Sequence, residues 1–343
     1  MLLLSLQPSY RGIAERFKYL KTENLAKGGY EMKTLQILVL FSITLLLFGC
    51  GEKDETSNTQ SPFVGGTNGL LVTFMENYPP PEVFDGGQDP FDIVLRLNNE
   101  GEFDIPASQL RVRISGIQST MFGKVDGQLN QVFPTEIKGK YKDFEGNIIE
   151  GAEETIEFTD LNHGSSLAGT ISYTIWADIC YLYGGTATTK LCFMKDLRDT
   201  GDERCEVTGP KQVDNSGGPL QVTSFNQNVM GTDKIGFTFK IEKRGNGEVY
   251  KDTLADCNND EYEDRNKVWV EVETEQAGLI CRGLRDGTDS TKGYARLTSQ
   301  GALISCDQPA NVATDFEAPV NIVFKYKYGE DVSSGLLVKH TPE

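Results

Sequence analysis

From residue 70 onward, apolar and polar positions alternate along the chain with a period of two. Phe91, Ile93, Leu95 and Leu97 alternate with Asp92, Val94, Arg96 and Asn98, and Leu110, Val112 and Ile114 with Arg111, Arg113 and Ser115. The pattern returns at Ile171, Tyr173, Ile175 and Ala177, at Ile235, Phe237, Phe239 and Ile241, and over 320–328. Successive side chains of a strand point to opposite faces, so each run predicts a strand with one buried face. Shorter runs at 70–74, 155–158, 190–193, 220–223, 268–272, 293–297, 303–306 and 335–339 predict further strands. No window carries a helical period, and the expected fold class is all-β.

Turn residues punctuate these runs. Asn98-Asn99-Glu100-Gly101 and Gly245-Asn246-Gly247 read as turns, and Gly184-Gly185 reads as a turn leading into the run at 190–193. The polar stretch 118–147 predicts a long loop or hairpin. A polar, glycine-rich stretch at 198–218 places a boundary near its end. The two sides of that boundary resemble each other. With Gly101 aligned on Gly245, Phe91, Ile93, Leu95 and Leu97 fall on Ile235, Phe237, Phe239 and Ile241, and each run follows an opening strand. Repetition of one unit, with short strands and glycine turns, predicts two tandem β-sandwich modules, 70–208 and 219–343.

The segment DPFDIVLRLNNEGEFDI, residues 89–105, resembles the strand–turn core of CARDB and related immunoglobulin-like modules. Residues 234–250 are similar to a weaker second copy, and 179–193 to cysteine-bearing segments of archaeal surface proteins of that type. The resemblance implies immunoglobulin-like modules on a cell surface, used for adhesion, spacing or ligand display. It brings no catalytic residues.

Upstream of the modules the pattern changes. Residues 35–48 are almost wholly apolar, with Met32 and Lys33 ahead of them and Gly49-Cys50 behind. A run of this length is shorter than the roughly 20 residues a spanning helix needs and fits a signal peptide, here 32–49. Leu47-Phe48-Gly49-Cys50 resembles the lipobox of prokaryotic lipoproteins, with Phe48 larger than the residue usual there. The resemblance implies a diacylglycerol on the Cys50 sulfur, the palmitate-type modification of a lipoprotein, and cleavage before Cys50. Residues 1–31 would put charged residues ahead of a signal that normally opens the chain. They read as untranslated leader, with translation starting at Met32. Residues 50–69, polar and glycine-rich, read as a flexible tether.

Composition narrows the partners. The net charge is −17, and an acidic chain repels phosphate backbones, so nucleic acid is excluded as a partner. Besides Cys50 there are six cysteines: Cys180, Cys192, Cys205, Cys257, Cys281 and Cys306. An even number in an exported chain predicts disulfides. The expected pairings are Cys192 with Cys180 or Cys205, Cys281 with Cys306, and one bridge between modules, Cys205 with Cys257.

Candidate chemistry is sparse. No GxSxG motif is present, and of the two histidines His163 reads as a loop residue and His340 as part of a fraying C-terminus. Asp256, Asn258, Asp260 and Asp264 offer alternating hard oxygens for weak calcium binding, although the sixth and twelfth loop positions hold Glu261 and Lys267 rather than Gly and Glu. No other cofactor is expected. Trp176, Tyr181 and Tyr183 flank the expected Gly184-Gly185 turn, either as core or as exposed stacking residues. These features point to a non-enzymatic lipoprotein facing outside the cytoplasm on a cell membrane or outer membrane. It would be a binding, adhesion or envelope-assembly module, with the membrane and an unidentified surface protein or glycan as partners. An extracytoplasmic solute- or glycan-binding protein is the alternative, and a secreted hydrolase the third.

Overall fold

Two strands of unusual length organise the fold: β9 (Ile171–Phe193) and β20 (Phe316–Lys339). They pair antiparallel from Phe193–Phe316 to Ile171–Val338 without a break in register. The computed structural model describes residues 61–198, 205–257 and 261–341. Cys50, the signal segment and residues 1–31 lie outside the described residues. Gln60–Glu343 forms one compact unit.

The chain before β9 supplies β1 (Leu70–Phe74), β2 (Glu82–Phe84), β3 (Phe91–Asn99), β4 (Leu110–Ser115), β5 (Asn130–Val132), β6 (Tyr141–Lys142), β7 (Ile148–Ile149) and β8 (Glu153–Leu161). Between β9 and β20 come β10 (Gly209–Pro210), β11 (Asp214–Asn215), β12 (Leu220–Val229), β13 (Lys234–Lys243) and β14 (Glu248–Tyr250). They are followed by β15 (Lys267–Thr274), β16 (Ile280–Arg282), β17 (Arg285–Asp289), β18 (Lys292–Arg296) and β19 (Ala302–Pro309). Among the described residues there is no α-helix, only two short 3-10 turns at Ser119–Phe122 and Asp126–Leu129.

The strands form one large sheet, two smaller ones and a hairpin. The large sheet runs β17-β18-β15-β20-β9-β4-β5. The smaller sheets run β1-β3-β8 and β10-β12-β13-β19-β16, and β6 pairs only with β7. In β9 the inward positions Ile175, Ala177, Ile179, Tyr181, Tyr183, Ala187, Leu191 and Phe193 all have odd numbers. In β20 the inward positions Ala318, Val320, Ile322, Phe324, Tyr326, Tyr328, Leu336 and Val338 all have even numbers. The period of two keeps one face of the large sheet mainly apolar, interrupted by Thr189 in β9 and by Glu330 and Ser334 in β20. That face packs on both smaller sheets, as the links across it show. The Tyr181 hydroxyl accepts from the Leu70 N–H in β1, and the Gln227 side chain of β12 bonds both backbone groups of Cys192. The result is an all-β sandwich architecture.

Gly184-Gly185 is not a turn. Gly184 lies opposite Lys325 and Gly185 opposite Phe324, in mid-strand. A Cβ at Gly184 would lie 2.6 Å from the Phe103 ring, and one at Gly185 2.6 Å from the Phe324 ring. The two glycines make room for aromatic rings over the sheet. Gly329–Gly335 likewise continues β20 instead of breaking it, because β9 offers a partner at every position. The stretch 118–147 contains the two 3-10 turns, β5 and the start of the β6–β7 hairpin.

Residues 61–69, read from the sequence as the end of the tether, are laid along the fold. The Val64 and Gly65 N–H groups donate to the Glu102 carboxylate, which also receives the Gly217 N–H. The far end of β20 is held as well. Asp85 is buried and accepts from the backbone N–H groups of Leu167 and Thr341, with His340 Nδ1 at 2.9 Å. These bonds hold its carboxyl well below the usual carboxylate range. His340 is therefore a pinned residue, not a fraying one.

Candidate functional site

The outer face of the large sheet, away from the smaller sheets, carries a charged cleft at its middle. Register builds it. Arg113 of β4 lies opposite Asp178 of β9, which lies opposite Asp331 of β20. Two carboxylates directly across a ladder repel. Arg113 offsets this by donating from Nε and Nη2 to one Asp178 oxygen, at 3.2 Å each. One row along, Arg111 lies opposite Cys180, and Cys180 opposite Gly329. Strand β14 pairs with 327–329 and adds Glu248, and the segment after it brings Asp256 and Cys257 over the sheet.

Cys257 is bonded to Cys180. Gly329 makes this crossing possible, since a Cβ there would come within 3.0 Å of the Cys257 Cβ. The bridge from the first half to the second is thus Cys180–Cys257 and not Cys205–Cys257, because only Cys180 faces outward beside a glycine. Cys205 bonds Cys192, and Cys281 bonds Cys306. Disulfides persist in oxidising compartments, so the three bridges mark a protein that folds outside the cytoplasm. Among the described residues no helix is long and apolar enough to cross a membrane.

The cleft encloses about 220 Å³, less than the roughly 300–1,000 Å³ of a typical small-molecule site. Two groups beside it are electrostatically unusual. Burial pushes the Glu330 carboxyl up to about 7, with Asp331 adding repulsion, while the Tyr181 hydroxyl donates to it at 3.3 Å and opposes the rise. Lys327 is buried, with Nζ donating to the carbonyl and side-chain oxygens of Gln109, and burial draws its pKa down to about 8 with help from Arg111. The cleft presents the Arg111 and Arg113 guanidinium groups together with the carboxylates of Asp178, Glu248, Asp256 and Asp331, while the carboxyl that changes charge near neutral pH, Glu330, lies on the inward side of β20 beneath it. That combination suits a small polar or charged ligand.

The other expected residues are dispersed. Asp256 lines the cleft, Asn258 and Asp260 lie outside the described residues, and Asp264 accepts from the Lys251 N–H through its backbone. Among the described residues no three His, Cys, Asp or Glu side chains are grouped to hold a metal ion. His163 lies in the loop after β8, as expected, but not at its surface. It is fully buried against Phe122 and Tyr173, with Nε2 at 3.4 Å from the Tyr173 hydroxyl and Nδ1 without a partner. Tyr181 and Tyr183 are core residues in edge contact, while Trp176 is half exposed. Asp85, Glu102 and Glu330 were not singled out by sequence reasoning, since acidic residues are plentiful and nothing in their spacing distinguishes them.

No family model matches the chain, and no curated protein matches it. Among matching solved structures is the serine-rich repeat adhesion glycoprotein Srr1 of Streptococcus agalactiae, at 11% identity over 82% of this chain and 99% of that one. The TM-score is 0.16, too low to equate the two folds.

Proposed function

We propose that this chain is a lipid-anchored lipoprotein outside the cytoplasm that acts without enzymatic activity, as a binding, adhesion or envelope-assembly module. The observation that supports it best is the unbroken pairing of β9 with β20 through both halves. At the usual rise per residue, the 23 residues of β9 span roughly 75 Å. One apolar face seats two sheets on this spine and a disulfide crosses it, so the two halves are displayed as a stiff pair and not as beads on a linker. Rigid spacing suits holding a partner at a set distance from a membrane. The lipobox-like Cys50 supplies the attachment.

Labelling of cells producing the full chain with radioactive palmitate tests the anchor. Label is expected on the wild type and absent from Cys50→Ser; an unlabelled wild type removes the anchor. Crosslinking on intact cells is expected to capture discrete surface species. Turnover of a glycan or ester substrate by the purified chain would instead favour the hydrolase reading. The charged cleft favours a second reading, an extracytoplasmic binder of a small polar solute, and saturable heat with such a solute, lost in Arg113→Met, would favour it.

A further inference from the structure

The β6–β7 hairpin presents apolar side chains to water in a fixed shape. Every residue from Phe144 to Glu150 is exposed. Phe144 at the tip is 98% exposed, and Tyr141, Ile148 and Ile149 are exposed beside it. The tip is nevertheless well ordered by local bonds. Asp143 Oδ1 accepts from the Glu145 and Asn147 N–H groups at 2.9 and 2.8 Å, and Gly146 takes a left-handed conformation, φ 86°, to close the turn. The base is fixed too, with the Lys140 N–H donating to the Gly101 carbonyl and the Ala152 N–H to that of Lys138. An apolar surface held rigidly in water marks a contact site.

The position of the hairpin indicates what it contacts. Lys142 Nζ donates to the Ser61 carbonyl at 2.9 Å, so the chain joins the fold beside the hairpin. Cys50 stands 11 residues before Ser61, a span of at most roughly 40 Å when fully extended. A lipid on Cys50 therefore keeps the hairpin within reach of the bilayer. Charge agrees. Residues 138–150 carry three lysines (Lys138, Lys140, Lys142) and three carboxylates (Asp143, Glu145, Glu150) in a chain of net charge −17. This neutral segment escapes the repulsion that anionic headgroups exert on the rest. A tyrosine at the edge of an apolar tip is also the amphipathic residue that membrane interfaces favour.

We propose that the β6–β7 hairpin is a lipid-contact element, with Phe144 seated among the headgroups and upper acyl chains of the membrane that holds Cys50. The proposal rests on the lipid anchor. The anchor alone holds the chain at the membrane, so depth and not attachment is the informative readout. The full lipidated chain carrying Phe144→Trp is reconstituted into phosphatidylethanolamine–phosphatidylglycerol vesicles with plain or brominated acyl chains, and wild-type emission from Trp176 and Trp269 is subtracted. The emission of the new indole is expected to fall about two-fold in the brominated vesicles. In Leu303→Trp, on the exposed side of the five-stranded sheet, no fall is expected. Vesicle-bound chain without quenching at position 144 overturns the hairpin contact and leaves the anchor standing. Equal quenching at position 303 overturns it in favour of general adsorption. A chain that does not float with the vesicles removes the anchor and this proposal with it. A dimer that Phe144→Asp dissociates assigns the hairpin to a second copy and overturns it as well.

Discussion

The two halves of this molecule share a spine but are closed by different forces. The half under the five-stranded sheet contains two disulfides, Cys192–Cys205 and Cys281–Cys306. The half under the three-stranded sheet is closed by two hydrogen-bonded carboxylates, the buried Asp85 at the end of β20 and the half-buried Glu102 at the point where the chain joins the fold. The one bridge among the described residues that reaches it is Cys180–Cys257, which comes from the other half. One half is thus locked by covalent bonds within itself. The other depends on hydrogen bonds to ionised groups, and on its neighbour through β9, β20 and a single crossing.

The crossing bridge matters most to that contrast. A disulfide restricts the unfolded chain more the longer the loop it closes, and the sequence separations are 77, 25 and 13 residues. Replacing both partners by alanine is expected to cost about 4.5 kcal/mol for Cys180–Cys257, about 3.5 for Cys281–Cys306 and about 3 for Cys192–Cys205. Urea midpoints of the three double variants test the ranking. Loss of Cys180–Cys257 should also loosen the three-stranded half selectively in hydrogen exchange. If that variant turns out the mildest, the halves do not depend on each other and the comparison fails.

The second test concerns what the halves have in common. Gly101 and Gly245, aligned by sequence alone, both lie beneath a tyrosine of the spine. A Cβ on Gly101 would lie 1.7 Å from the Tyr183 hydroxyl and 2.8 Å from the Asn68 carbonyl oxygen. A Cβ on Gly245 would lie 2.3 Å from the Tyr328 hydroxyl and 2.8 Å from Pro219. Gly101→Ala is expected to cost about 3 kcal/mol, since backbone must move, and Gly245→Ala about 2. Thermal midpoints measure both. A near-neutral result at either site would mean that the tyrosine swings away and the resemblance is not structural.

The alternating strands were legible in the sequence because each has one dry face, and Cys281–Cys306 because its strands lie close together. The shared spine was not. Gly184-Gly185 and the run Gly329-Glu330-Asp331-Val332-Ser333-Ser334-Gly335 carry the composition of turns, yet both continue as strand. What overrides local preference is tertiary: aromatic rings from Phe103 and Phe324 fill the space above the glycines, and a complete partner strand lies alongside the polar run. Neither can be inferred from neighbours in sequence. The cleft was hidden for the same reason, since its residues come together only through the register of β4, β9 and β20. The crossing bridge was hidden too, because the outward face of Cys180 and the glycine opposite it follow from the register of β9 with β20.

The smallest expected effect lies where the halves meet. Glu330 occupies an inward position of β20, with Tyr181 donating to it, and its carboxyl is raised from 4.5 to about 7 by burial. A raised carboxyl favours the neutral form in the fold. Its contribution is therefore complete below the unfolded pKa of 4.5, declines as pH rises and is lost through about 7. Above that, the wild type carries a desolvated charge at the junction. Glu330→Gln keeps an acceptor for the Tyr181 hydroxyl and removes the charge. Its stability should match the wild type at about pH 4 and exceed it by about 2 kcal/mol at about pH 8, the full shift being discounted for partial solvent access. Denaturation curves at the two pH values measure this. Parallel behaviour across the range would mean that water reaches Glu330, and that the seam between the covalently locked half and the hydrogen-bonded half is open, not packed.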